Sequence, residues 1–346
     1  MIKTLNVQNF TTLPDATWTF APGLNVIVGE NGFGKSHVLK LLYALLKVSS
    51  EAKAHSAANL ERAYASKLMG VFRPESLGRL VKRRQGRARC EFAVTMSEPA
   101  LNVEGGFATN AKSQVDLRQR PSKALGRSPA YLPTRELVTL CPWFVPLYDN
   151  YHLEFEETWR DTVSLLGNPS LKGPREKRAA DLLAPLEAAM GGKVQVDAAS
   201  GRFYLQQSGE GRMEMPLVAE GLRKIAMLAR LISTGTLLEQ GYLFWDEPES
   251  NLNPKLIKAV AADLPRGSVE ADDSLPANPA PVEEPEPEPE PAPAPIDSVP
   301  APAAAPVAPA PVAPAQAAPD GNAWVRQAPV PAPEYPSRRE ARQSFL

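Results

Sequence analysis

The run Gly29-Glu30-Asn31-Gly32-Phe33-Gly34-Lys35-Ser36 sets two glycines four residues apart and follows the second with Lys-Ser. That is the spacing of a phosphate-binding loop. Its glycines reach backbone angles closed to other residues, and their exposed N–H groups, with a helix N-terminus behind them, form a concave nest for anionic oxygens. Lys35 adds a point charge at the outer phosphates and Ser36 a hydroxyl ligand for magnesium. The flanks match the motif: an apolar strand over Leu24 to Val28 precedes the loop, and a run with helical spacing, His37 to Val48, follows it. The competing reading is a glycine-rich turn, which this strand-loop-helix context disfavours.

Two later stretches carry complementary chemistry. Pro216 to Lys224 leads directly into a helical run through Ile225, Leu228, Ala229, Leu231 and Ile232, so Gly221 sits where N–H groups at a helix start face outward. This is a second potential anion site. Gly241-Tyr242-Leu243-Phe244-Trp245-Asp246-Glu247-Pro248-Glu249 is an apolar strand ending in adjacent carboxylates. An apolar strand that delivers an Asp to its C-terminal edge is the usual partner of a phosphate loop in a parallel sheet, where the carboxylate helps hold magnesium. Glu247 points the other way, placed to polarise a water. An Asp-Glu pair in a turn is common by itself; the loop and the buried strand give this one its meaning.

The elements that must position these residues are partly legible. Ile2, Leu5 and Val7 alternate with polar residues, and Thr17 to Phe20 alternates again after a Leu13-Pro14-Asp15 turn, which predicts a strand pair ahead of the loop. Val38, Leu39, Leu41, Leu42, Leu45 and Leu46 mark the apolar face of the helix behind the loop, best explained as core packing. Lys82-Arg83-Arg84-Gln85-Gly86-Arg87-Ala88-Arg89 precedes an alternating strand, Cys90 to Val94. Such a cluster grips nucleic-acid phosphates or protects a hairpin edge with solvated charge, the second being favoured. Ala130 to Leu137 reads as a strand ending in a loop. A helix-rich stretch from about 150 to 192 reads as an inserted helical subdomain, and a hairpin follows over Lys193 to Asp197 and Gly201 to Gln206.

Composition divides the chain. Of its 346 residues, 265–346 hold 21 of the 36 prolines, 12 acidic residues and 5 basic ones, a net charge of −7. Residues 1–264 carry +6, so the total of −1 is two opposite parts cancelling. A modestly basic body permits contact with nucleic acid without arguing strongly for it. Cys90 and Cys141 stand in unrelated contexts without CxxC spacing, which supports neither a zinc site nor a disulfide framework. Neither an apolar signal core nor a stretch of about 20 apolar residues is present, so the chain reads as soluble, cytoplasmic and free of a membrane.

In order, the Asn9-Phe10 hairpin opening, Leu24 to Ser36, Ala219-Glu220-Gly221-Leu222-Arg223-Lys224, Trp245 to Glu249 and Ser250-Asn251-Leu252-Asn253-Pro254 resemble the ATPase head of the ABC class. The resemblance is to the RecF, SMC and OLD-like AAA-family ATPases that transport nothing, and it covers Met1 to about Asp263. It implies a P-loop NTPase α/β fold, a mixed sheet with an N-terminal antiparallel hairpin and an inserted helical subdomain. It further implies a homodimer in which two heads sandwich two ATP molecules, each loop facing the other head's Gly221 helix. Carried over by position, Gly29, Asn31, Gly32, Phe33, Gly34, Lys35, Ser36 and His37 contact the nucleotide, Ser36 and Asp246 hold Mg2+, and Glu247 orients the attacking water. Related heads act in DNA repair, chromosome organisation and phage defence, on DNA or beside a nuclease or toxin partner.

The chain departs from this pattern in three places. No Gln stands near Arg135, where such heads carry a glutamine loop. Ala219 takes the place of the signature serine, leaving backbone groups and Arg223 or Lys224 to sense the terminal phosphate. The strand that ends in a phosphate-contacting histidine is replaced by Leu264-Pro265-Arg266-Gly267, and His37, His55 and His152 all precede it. Domains are therefore expected at 1–264, the head, and 265–346, an extended, disordered tail with polyproline character that resembles the spacer of TonB-like proteins. A gene fusion or frameshift explains the join. Three functions follow: an ATPase, an ATP-binding switch with impaired hydrolysis, or a chain whose tail serves as spacer or partner ligand. A circular-dichroism spectrum of residues 265–346 alone is expected to lack strand structure, and ordered strands there would contradict the tail assignment.

Overall fold

The computed structural model describes residues 1–250 and 252, except 52–55, 84, 85, 152, 208, 210 and 240. The expected tail, the boundary at Leu264, His55 and His152 lie outside the described residues. Strand β1 (Ile2–Gln8) pairs antiparallel with β2 (Ala16–Thr19), the expected hairpin. Ile2, Leu5 and Val7 all face inward although Ile2 and Leu5 are three apart, because the register against the next strand shifts between Ile2 and Thr4. Such a shift inserts one residue and restores the inward face. Helix α1 (Lys35–Ser50) follows the phosphate loop, then α2 (Ala57–Phe72), β3 (Arg89–Met96), β4 (Val103–Ala108) and β5 (Asp116–Gln119). The five strands form one antiparallel sheet in the order β2-β1-β3-β4-β5. Cys90, Phe92, Val94 and Met96 alternate into the core, which places the Cys90 thiol out of solvent.

The second half begins with β6 (Ala130–Leu132) and three helices, α3 (Phe144–Tyr151), α4 (Glu157–Leu166) and α5 (Pro174–Met190). A three-stranded antiparallel sheet follows: β7 (Gly192–Val196), β8 (Phe203–Gln207) and β9 (Arg212–Glu214). The sequence pattern predicts its first hairpin but not β9, which is too short to alternate visibly. Helices α6 (Glu220–Ser233) and α7 (Thr236–Glu239) lead to β10 (Leu243–Trp245), which pairs parallel with β6. One core lies under the five-stranded sheet and around α1 and α2; a second gathers α3 to α6 and β8.

The strand expected at 24–28 is not formed. Leu24, Val26 and Val28 are 62%, 72% and 87% exposed, and Ile27 alone of the run packs on the first core. An apolar run settles as a strand when a neighbour takes up its backbone N–H and C=O groups. Among the described residues none does: β6 and β10 pair with each other, and neither takes 24–28 on its open edge.

A buried charge cluster joins the two halves. Lys67 Nζ on α2 donates to Asp161 Oδ2 at 2.5 Å and Glu157 Oε1 at 2.8 Å, both on α4, while Tyr43 Oη on α1 donates to the same Asp161 oxygen at 2.6 Å. Burial by itself depresses the Lys67 pKa, but the two carboxylates outweigh it and the net displacement is upward. Lys40 on α1 adds an ion pair to Glu156 at the head of α4. Helix α4 is thus fastened to the helix behind the phosphate loop by directional bonds as well as apolar contact. Removing one partner of a buried pair strands the other charge. Lys67→Met is expected to lower the free energy of unfolding in urea by about 3 kcal/mol; a loss below about 1 kcal/mol would show that water replaces the ammonium there.

Candidate active site

The loop delivers its backbone to the start of α1 through two left-handed glycines, Gly32 (φ 88°) and Gly34 (φ 85°). Gly34 caps the helix, and a Cβ built on it would lie 2.5 Å from Leu13 Cδ2, so both conformation and space select glycine. No side chain caps α1 and no acidic residue sits in its first turn. Helix geometry leaves its first N–H groups without intrahelical partners, and the dipole adds positive potential at the same point. Lys35 Nζ reaches back to the carbonyls of Gly29 at 2.7 Å and Glu30 at 3.0 Å, which holds the ammonium over the loop.

From the other end of the described chain, Asp246 arrives one residue past β10. Its N–H donates to Leu132 O at 2.9 Å, tying it to the end of β6. Its carboxylate is buried and accepts two hydroxyls: Ser36 Oγ on Oδ1 at 2.8 Å and Tyr131 Oη on Oδ2 at 3.1 Å. Two hard oxygens from positions 210 residues apart therefore meet at the N-terminus of α1. Mg2+ takes one or two protein oxygens and completes its shell with water and phosphate, so Ser36 and Asp246 fit this ion. Among the described residues no three His, Cys, Asp or Glu side chains gather into an all-protein metal cage.

Glu247 follows with a left-handed backbone (φ 45°), a costly conformation for a residue with a Cβ. Its side chain is exposed, and Oε2 accepts from Ser250 Oγ at 2.9 Å. The turn is held from beneath by Lys224 of α6, which is 1% exposed and donates to the carbonyls of Glu247 at 2.8 Å and Ser250 at 3.0 Å. Burial depresses the Lys224 pKa, with Glu249, Glu247, Asp246 and Glu220 opposing the shift. The strained turn is thereby bonded to the helix that begins at Glu220.

Residues 1–98 match the family model described as the AAA ATPase domain. That span holds the hairpin, the loop and α1. Among solved structures, the chain is similar to an Smc head bound to the C-winged helix domain of ScpA, at 14% identity over 76% of this chain and 85% of that one, with a TM-score of 0.47. The SMC head domain from Thermotoga maritima matches at 14% identity over 76% and 83%, with a TM-score of 0.39. The recombination mediator protein RecF with ATP matches at 16% identity over 76% and 90%, with a TM-score of 0.37. Likeness at this level carries no functional argument.

Ser36 and Asp246 meet at the N-terminus of α1, Lys35 is folded back over the loop that leads into it, and Glu247 follows Asp246 in the chain. Phe33 is exposed at the rim. The His37 ring turns away from the loop: Nδ1 lies 2.9 Å from Thr11 Oγ1 and the ring packs edge-on against Phe72, leaving the loop its backbone only. Burial, with Lys40 nearby, depresses the His37 pKa against the opposing pull of Glu156 and Asp246. Gly221 lies in the first turn of α6, whose N-cap Ala219 makes no side-chain capping bond.

Neither basic residue after Gly221 is free for a phosphate as the sequence suggests. Lys224 is committed to the two carbonyls under Glu247, and Arg223 Nε lies 3.2 Å from Glu136 Oε1, an ion-pair distance without hydrogen-bond alignment. Arg135 is exposed. Of the basic cluster, Arg89 opens β3 and pairs with Asp116 of β5 at 2.8 Å, with Glu91 of its own strand 3.7 Å away; β3 is the central strand of the five, so the expected edge protection does not apply to it. Sequence reasoning passes over Tyr131, because a tyrosine on a strand reads as core, and it assigns Lys224 to the phosphate instead of to the turn under Glu247.

Glycine relieves a left-handed strain that alanine keeps. Glu247→Gly and Glu247→Ala both delete the carboxylate, and the glycine variant is expected to unfold with about 1 kcal/mol more free energy than the alanine variant. Equal denaturation midpoints would mean that the turn opens without cost.

Proposed function

We propose that the described residues form an ATP-binding head that hydrolyses ATP with magnesium. The observation that carries this reading is the 2.8 Å hydrogen bond between Ser36 and Asp246, which puts a hydroxyl and a carboxylate beside the phosphate loop and the uncapped start of α1. The N–H groups of the loop and of α1 bind the phosphates, Lys35 neutralises the outer ones, and Ser36 and Asp246 hold Mg2+. When bound, Mg2+ draws negative charge from the phosphate oxygens. Glu247 takes the role of orienting water against the terminal phosphorus, so that rate enhancement is positioning plus electrostatic stabilisation. Its exposed carboxylate is accessible to water, and the Lys224-held turn fixes where it stands.

The finer reading is a homodimer in which the α6 N-terminus of one head, with Gly221, faces the nucleotide of the other. Its cytoplasmic work would lie in DNA repair or phage defence, on DNA or beside a nuclease or toxin partner. The uncapped Ala219 end of α6 supports the sandwich. A second reading, an ATP-binding switch with weak hydrolysis, is favoured by the unpaired 24–28 segment: a loop whose supporting strand lacks a neighbour among the described residues holds phosphate oxygens less rigidly than catalysis demands.

Lys35→Ala is expected to weaken ATP binding at least about 10-fold, the worth of one charge-assisted contact. Glu247→Gln is expected to keep binding and lose phosphate release. Titration with labelled ATP and a phosphate-release assay check both: unchanged binding in Lys35→Ala contradicts the loop assignment, and binding without any Glu247-dependent release selects the switch.

A further inference from the structure

Tyr131 is the least explained polar group near the site. It is 1% exposed, and its phenol donates to Asp246 Oδ2 at 3.1 Å. Its placement follows from the β6–β10 register. Tyr131 is paired with Phe244, and side chains on a strand alternate faces, so Asp246, two residues past Phe244, emerges on the same face as Tyr131. The aromatic ring spans the offset and brings Oη to the carboxylate.

That ring is held on several sides. It packs against Tyr43 of α1 with centroids 5.4 Å apart, and the Tyr131 carbonyl accepts from Thr162 Oγ1 of α4 at 2.6 Å. Thr162 is adjacent to Asp161, which anchors Tyr43 and Lys67. The phenol is consequently as fixed as the sheet and helix behind it. A carboxylate on a free strand end can rotate and present either oxygen or both. With Oδ2 claimed from behind and Oδ1 bonded to Ser36, Asp246 presents one oxygen toward the loop.

We propose that Tyr131 is a positioning residue for Asp246: by holding Oδ2 it orients Oδ1 as the single carboxylate oxygen offered, together with Ser36, to a divalent cation. The proposal deepens the magnesium reading above and rests on it. Tyr131 touches no phosphate and takes no proton; its effect passes through Asp246 alone. Its removal therefore alters what depends on the metal and spares what depends on the loop.

The test uses the full chain. ATP affinity is measured by equilibrium titration in EDTA and across a Mg2+ series, for the wild type, Tyr131→Phe, Asp246→Asn and the double variant, alongside each unfolding temperature in EDTA. Tyr131→Phe keeps the ring and loses the hydroxyl. It is expected to raise the Mg2+ concentration for half-maximal ATP binding by about 10-fold or more, as for a lost hydrogen bond to a charged group, with EDTA affinity and unfolding temperature near wild type. In the Asp246→Asn background the same substitution is expected to add little, because the carboxylate it acts through is gone. An unchanged Mg2+ requirement in Tyr131→Phe overturns the proposal, as does full additivity with Asp246→Asn. A collapse of the Tyr131→Phe unfolding temperature overturns it too, by assigning the phenol to stability. A wild-type chain that binds ATP in neither buffer contradicts the nucleotide reading itself, and the proposal falls with it.

Discussion

The hydrogen bond from Ser36 to Asp246 ties together parts of the chain that have no other reason to meet at a point. Ser36 sits in the first turn of a helix entered through a left-handed glycine, and Asp246 at the end of a three-residue strand paired only with β6 among the described residues. For the bond to exist, α1 must lie across β6 and β10 with its N-terminus at their C-terminal ends. That placement puts an uncapped helix start, a cationic side chain and a carboxylate within one small volume. Phosphate recognition and metal binding need those three features together, and either strand or helix displaced by one turn would separate them.

The packing behind the site is organised to prevent such displacement. Tyr43 and Tyr131 pack at a tilt of 59° between α1 and β6, and each is hydrogen-bonded onward, Tyr43 to Asp161 and Tyr131 to Asp246. Helix α4 supplies Asp161 and Thr162, and so holds the Tyr43 phenol and the Tyr131 carbonyl from one turn. Buried polar bonds of this kind add little net stability compared with apolar packing, but they are satisfied in few arrangements and therefore select one. On the far side, Lys224 holds the backbone of the Glu247 turn, so the two adjacent acidic residues are anchored by different helices.

Much of this was legible in the residues. The phosphate loop, the first hairpin, the helix after the loop and the Asp-Glu pair all follow from local patterns, namely glycine spacing, period-2 alternation and helical apolar spacing, which depend on nearby sequence. The misses share the opposite cause. Residues 24–28 have the composition of a buried strand, yet a strand is a property of two segments, and no described partner lies beside them. Lys224 and Tyr131 act through contacts with positions 23 and 115 residues away, which no window along the chain contains. His37, adjacent to the loop in sequence, turns its ring to Thr11 and Phe72 because the first helical turn points successive side chains in different directions.

Hydrogen–deuterium exchange of the full chain with and without ATP and Mg2+ tests most directly whether the Ser36–Asp246 meeting point is a nucleotide site. Protection on adding both is predicted over 29–38, the loop and the first turn of α1, and over 244–250, the strand end and carboxylate turn, with ATP in EDTA protecting 29–38 alone. Protection absent from 29–38, or confined to segments distant from both, would contradict the account.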